Sequence, residues 1–260
     1  KSDGADASWG RTQMALAASN GFVGSYARTR HSISVSVIAG EGSGMERDYD
    51  YTTAVFAEDL DNPQLIGQRA GMRTVRRLNP RRVPTQQVPV VYEARVAGGL
   101  LRHLAGAISG TAIARRTSFL KEKLGQHVFG TGITIVDDPH RPRGLATRPF
   151  DGEGVTNRRR EIVADGVLTT WLLDLASARQ LGLRSTGHAG RGLGGGPSAT
   201  NLYLQPRAMT PKELISDIKQ GFFVTELMGM GINQITGDYS RGAAGFWIEN
   251  GVLAYPVSEL

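Results

Sequence analysis

The 260-residue sequence has no cysteine. A disulfide framework and thiolate zinc sites are therefore excluded, and a reducing cytoplasm is the expected location. No apolar run approaches the roughly 20 residues of a membrane-spanning helix, and no secretory leader is visible, so no membrane is expected as a partner. The signatures of several enzyme classes are also missing. There is no G-x-x-x-x-G-K phosphate loop and no G-x-S-x-G nucleophile elbow. No two of the histidines His31, His103, His127, His140 and His188 lie three or four residues apart, whereas a metal site built on one helix needs ligands one turn apart. The chain opens on Lys1 and closes at Leu260 in a strand-like run, and both ends read as cut from a longer protein.

What is present is ordinary for a globular protein of one or two domains, with 40% hydrophobic and 21% charged residues. That length buries a substantial core without disulfides. Thirty Lys and Arg against 24 Asp and Glu give a net charge of +6. The basic residues cluster as Arg76-Arg77, Arg81-Arg82, Arg115-Arg116 and Arg158-Arg159-Arg160. No aromatic residues interleave with them as a nucleic-acid platform requires, so they read as solvated faces and helix ends, and nucleic acid is not an expected partner.

Residues 1–10 are small and polar and read as a loop; residues 12–27 give no clear pattern. From Ser32 to Ala39, Ile33, Val35 and Val37 alternate with serines, the period of a half-buried strand. A turn at Glu41–Gly44 leads to a returning strand over Asp48–Phe56. Asn62 before Pro63 starts a helix that runs to Leu78. The prolines and arginine pairs of 79–89 mark a domain boundary, dividing the chain into 1–84 and 85–260. Beyond it, Val88–Arg95 reads as a strand and Ala97–Arg116 as one helix with an apolar stripe. Short strands follow at Ile133–Asp137 and Leu202–Leu204. Asp165-Gly166 and Asn250-Gly251 each sit between apolar runs as hairpin turns. Thr210-Pro211-Lys212-Glu213 is a capping box opening a helix to Gln220. The fold class is α+β.

Few polar groups converge. Gly190-x-Gly192-x-x-Gly195 matches a dinucleotide fingerprint in letters only, because strand-like residues follow where the motif needs a helix; the glycine-rich run Gly190–Gly196 reads as a mobile loop. Asp137-Asp138-Pro139-His140 reads as a turn rather than a metal site. His103 reads as a partly buried structural histidine. His188, beside the mobile glycines, is a candidate contact for a peptide or partner. The best constellation is Thr236–Arg241. There Asp238 and Arg241 are spaced to form a bracing ion pair and Tyr239 offers a stacking surface, either as a structural turn or as a peptide- or subunit-contact loop. Met228, Met230 and Phe246 nearby read as core.

The glycine-cut stretch from Gly221 to Leu260 resembles the C-terminal domain of the TldD/PmbA family, on its PmbA (TldE) branch. The resemblance runs from about Trp9 to Leu260. It is carried by Gly144-Leu145-Ala146, by Pro149 to Gly154, by Asp165 to Leu173, by Ser177-Ala178-Arg179 with Ser185 to His188, and by Thr236 to Gly242 leading into Trp247 to Gly251. It implies that residues 1–84 are the later part of an α/β N-terminal domain. It implies that residues 85–260 are a strand-rich, barrel-like C-terminal domain truncated at its end. In the TldD branch one helix carries His-Glu-x-x-x-His and holds a hydrolytic metal. The corresponding helix here, Gly99 to Gly106, keeps one histidine, with no glutamate beside it and no second histidine one turn on. No catalytic residue, metal ligand or cofactor is therefore expected in this chain, and zinc is expected in a partner. The family implies a TldD-like metallopeptidase subunit as that partner, peptides as substrates, and roles in leader-peptide removal, peptide degradation and modulation of DNA gyrase. A homodimer stays open. So do an independent metal-dependent peptidase and a gyrase- or nucleic-acid-interacting module.

Overall fold

The computed structural model describes residues 1–191 and 195–258. The first part is an antiparallel sheet in the order β1 (Ser2–Ala17), β2 (Val23–Ala39), β3 (Glu46–Ala54), with helix α1 (Pro63–Arg76) packed across β2 and β3. Residues 1–10, expected as a loop, are instead the first half of the long strand β1, in register with β2 from Ala17↔Val23 to Ser2↔Val37. The strand was illegible because nearly all its side chains are exposed on both faces. With no face buried, no apolar alternation is needed, and the ladder alone holds the strand.

Ile33, Val35 and Val37 do share a face, and across from them on β3 stand Thr52, Asp50 and Asp48. Two carboxylates are thus buried under a helix, which is tolerable only when they are paired. Helix α1 supplies the pairing: Arg69 and Arg73 each bond Asp50 at 2.6 Å. Asn62 caps α1 by accepting from the Gln64 N–H at 2.8 Å, as its place before Pro63 predicts.

The second part begins with β4 (Val90–Tyr92), α2 (Ala94–Ala107), α3 (Gly110–Ala114), β5 (Ile135–Asp137), β6 (Arg160–Ala164) and β7 (Val167–Leu168). It continues with α4 (Leu175–Gln180), β8 (Leu202–Leu204), α5 (Pro211–Ser216), β9 (Gln220–Met228), β10 (Gly242–Glu249) and β11 (Val252–Val257). The strands form two four-stranded sheets, β11-β10-β9-β4 and β7-β6-β5-β8. Among the described residues neither sheet closes, so the barrel-like expectation gives way to two open sheets in an α+β fold. One core gathers Leu104, Ile108, Ile135, Ile162, Leu168 and Leu172; another gathers Phe222, Val224, Trp247 and Val257.

The single helix expected over 97–116 is two helices. The chain breaks at Ile108–Ser109 because its backbone is claimed from outside: Leu172 N–H donates to Ile108 O, and Gly110 N–H donates to Leu172 O at 2.7 Å. Gly110 is required there, since a Cβ would run into Ser177 and Leu173. The α5 helix stops at Ser216 rather than Gln220, because Ile218 and Lys219 carbonyls accept from the β10–β11 turn and Gln220 enters β9. Both hairpins have the predicted turns, with Asp165 and Asn250 at φ 48° ahead of glycines at φ 84° and 79°.

Charge and aromatic contacts join the two parts. Arg77 at the end of α1 reaches Glu226 of β9 at 2.5 Å, and Phe22 and Tyr26 pack edge-on against Phe150. Among the described residues no helix is long and apolar enough to cross a membrane. The glycine-run expectation at 190–196 falls partly outside the described residues.

Candidate functional site

A groove of about 900 Å³ opens between α2, the edge strand β8 and the loop 232–239. Helix α2 presents Leu100, Leu101, His103 and Leu104 to it, and Phe119, Phe129, Ile133 and Ile135 complete an apolar wall. The N–H of Phe119 donates to Gln234 O at 2.9 Å, fixing the loop over the groove. Gly237, at φ 87°, lies so close to the Phe119 ring that a Cβ would crowd it. Sequence reasoning missed Phe119, Phe129, Ile133 and Tyr203 as lining residues, because isolated apolar residues look alike whether they face a core or a groove.

The few polar groups of the wall are His103, Tyr203, Tyr239, Asn233 and Gln234. His103 and Tyr239 meet edge to face at 6.1 Å between ring centres. Burial lowers the His103 pKa below the usual 6.5, and the nearby Arg241 and Arg102 lower it further, so the imidazole is biased toward its neutral form. Burial and the adjacent Tyr239 push the Tyr92 hydroxyl up to about 12.

Of the residues singled out in the loop, Tyr239 reaches the groove. The Asp238–Arg241 ion pair does not form. Asp238 accepts from the Thr236 hydroxyl at 2.6 Å, while Arg241 Nε donates to Met228 O at 3.0 Å. Local hydrogen bonds within reach of each side chain outcompete a pair between exposed charges. Phe246 is core as expected, but Met228 and Met230 are exposed, Met230 at 93%, because both flank the turn that leaves the sheet.

His188 is not at the surface. It is 1% exposed, and its Nε2 donates to Asp137 Oδ2 at 3.0 Å while its Nδ1 lies in hydrogen-bond contact with the Thr186 hydroxyl at 2.8 Å. The same carboxylate accepts from Thr200 N–H at 2.6 Å and from its hydroxyl at 2.7 Å. Both ring nitrogens of His188 are thus engaged inside the core. His140 points its Nε2 at Asn157 O, so the Asp137–His140 segment assembles no ligand set.

The residues present do not fit a hydrolytic metal. A His-Glu-x-x-x-His arrangement needs a carboxylate one residue after the first histidine and an imidazole four after that. On α2, Leu104 follows His103 and Ile108 stands at the second position; counting backward reaches Gly98. Among the described residues the groove lining contains no carboxylate. Among the described residues no three histidine or acidic side chains gather in a way that could hold a metal ion.

The edge of β8 is the other accessible feature. Asn201, Tyr203 and Gln205 turn their backbone groups toward β5. By alternation Leu202 and Leu204 turn theirs outward, at the rim of the groove. On the far side of Tyr203, the Arg141 guanidinium stacks over its ring at 4.5 Å.

Two consecutive family models match the chain: the PmbA/TldA metallopeptidase central domain over residues 2–78 and the PmbA/TldA metallopeptidase C-terminal domain over residues 85–260. Metalloprotease PmbA of Escherichia coli is 46% identical over 242 residues, which cover 93% of this chain and 52% of that protein. A protein from Bacteroides thetaiotaomicron named as a modulator of DNA gyrase superposes with a TM-score of 0.89 at 31% identity, over 98% of this chain and 56% of that one. TldE from Thermococcus kodakarensis has the same fold, with a TM-score of 0.85 at 21% identity, over 97% of this chain and 58% of that one. The chain spans about half the length of the curated relatives it matches. Together with the helix that lacks the metal motif, these matches show that the chain belongs to the PmbA/TldD family, on its PmbA (TldE) branch.

Proposed function

We propose that this chain is the non-catalytic, PmbA-type subunit of a two-component metallopeptidase, and that it holds extended peptides for a metal-carrying TldD-like subunit. The observation that carries this reading is the composition of the groove wall. Helix α2 offers a cavity large enough for peptide side chains, but it brings one imidazole and no carboxylate to it. A hydrolytic metal needs two or three protein ligands and an open position for water. An apolar groove beside a free strand edge is suited instead to recognition, because ladder bonds accept any sequence while the cavity takes apolar side chains.

The test is peptide cleavage by the full-length protein, alone and mixed with the TldD-like subunit of the same genome, with and without a chelator. Cleavage only in the mixture, abolished by chelator, is the expected outcome. Chelator-sensitive cleavage by this protein alone would refute the reading.

A further inference from the structure

The apolar groove adjoins a basic hollow. Two cavities meet at strand β8: the apolar groove, and a second hollow of about 550 Å³ lined by Arg141, Arg159, Tyr203, Leu204, Gln205 and Pro206. Tyr203 and Leu204 belong to both. The second hollow is cationic. Arg141 makes a ring contact with Tyr203, and among the described residues no carboxylate lies within ion-pair distance of it. Arg159 has Glu161 at 3.7 Å, an exposed pair of the kind that contributes little. A third guanidinium, Arg207, sits against Gly132, next to the groove residue Ile133.

Geometry turns this juxtaposition into a sequence preference. A strand laid on the free edge of β8 would bond to the outward backbone groups of Leu202 and Leu204, and its successive side chains would point to opposite faces. Those on one face enter the apolar groove beside Leu202 and Leu204. Those on the other face arrive beside Tyr203, where Arg141 and Arg159 stand. Resting on the peptide-holding role proposed above, we infer that the groove selects extended peptides in which apolar and acidic residues alternate. The arginines read the carboxylates and the cavity reads the apolar side chains.

The experiment uses the full-length protein and fluorescein-labelled peptides of about eight residues, alternating Leu with Glu, with Gln or with Lys, followed by anisotropy. The Leu–Glu peptide is expected to bind about tenfold more tightly than Leu–Lys. That ratio should fall to about twofold or less in the Arg141→Gln/Arg159→Gln variant and in about 0.5 M salt. Because the readout is a ratio on one protein, a loss of folded material cancels. Methylating the backbone nitrogens that face β8 should abolish binding of the Leu–Glu peptide. Equal affinities for Leu–Glu and Leu–Lys, with binding otherwise intact, would overturn the charge preference and leave the peptide-holding role standing. Failure of all three peptides to bind would overturn both.

Discussion

His188 and His103 are two histidines of one chain with opposite surroundings. His188 has both ring nitrogens engaged, one by a carboxylate and one by a hydroxyl, and is sealed in the core. His103 stands on the groove wall, facing a tyrosine ring rather than a carboxylate, with burial first and Arg241 second opposing its charge. A histidine oriented by a carboxylate is the usual equipment of a general base, yet here that histidine is buried in the core. The histidine that can be reached lacks the equipment. The difference teaches that a polar constellation identifies chemistry only when it is joined to access. In this protein the carboxylate-paired histidine lies in the core, and the groove wall carries an imidazole with no carboxylate beside it.

The contrast can be broken most forcefully at its buried end. Asp137→Ala leaves His188 Nε2 and the Thr200 N–H without an acceptor in the core and should cost about 3–5 kcal/mol. Urea unfolding of the full-length protein checks this, and a loss under about 1 kcal/mol would show that the buried network is not structural. Next in size is Arg77→Met. Arg77 is 11% exposed and faces Glu46, Asp48 and Glu226 at 3.4, 3.6 and 2.5 Å. Removing it should cost about 2 kcal/mol and reduce the salt dependence of the unfolding midpoint.

The groove histidine predicts a smaller, pH-dependent effect. Its folded pKa lies below the usual 6.5, so the folded chain binds fewer protons than the unfolded one as acid is added. Its contribution is therefore complete above pH 6.5 and is lost as pH falls through the depressed folded value. His103→Leu should gain on wild type as pH drops from about 7.5 to about 5, read as a narrowing or reversal of their Tm difference; a constant difference would show that His103 titrates normally. The smallest effect belongs to the loop. A double-mutant cycle of Asp238→Ala and Arg241→Ala should give a coupling within about 0.5 kcal/mol, whereas a larger value would restore the ion pair that the structure lacks.

Elements announced by local chemistry were legible. The Asn62 cap, the Thr210 capping box and both glycine turns depend on a few adjacent residues, and each stands where the sequence places it. What failed depended on partners distant in sequence. Nothing in residues 1–10 reveals a strand, because its reason for existing is β2. Nothing in 97–116 reveals the break at Ser109, because Leu172 causes it. The α4 cap, where Asp174 and Ser177 bond reciprocally, is set by equally local chemistry. At the site, the sequence pointed to the loop that carries Tyr239, and the fold shows that Tyr239 lines the groove, that Asp238 bonds to Thr236, that His188 is buried, and that scattered apolar residues make one groove.

Helix α2 begins and ends under constraint. Near its start, Arg95 bonds Asp48 at 2.9 Å and Tyr49 O at 2.6 Å on β3, and Glu93 at 2.7 Å; at its end the backbone is locked to Leu172. A beam clamped at both ends cannot be displaced without moving its supports. The first sheet and the groove wall are therefore tied together through α2, so the groove keeps its form only while β3 and the Leu172 segment hold the two ends of that helix.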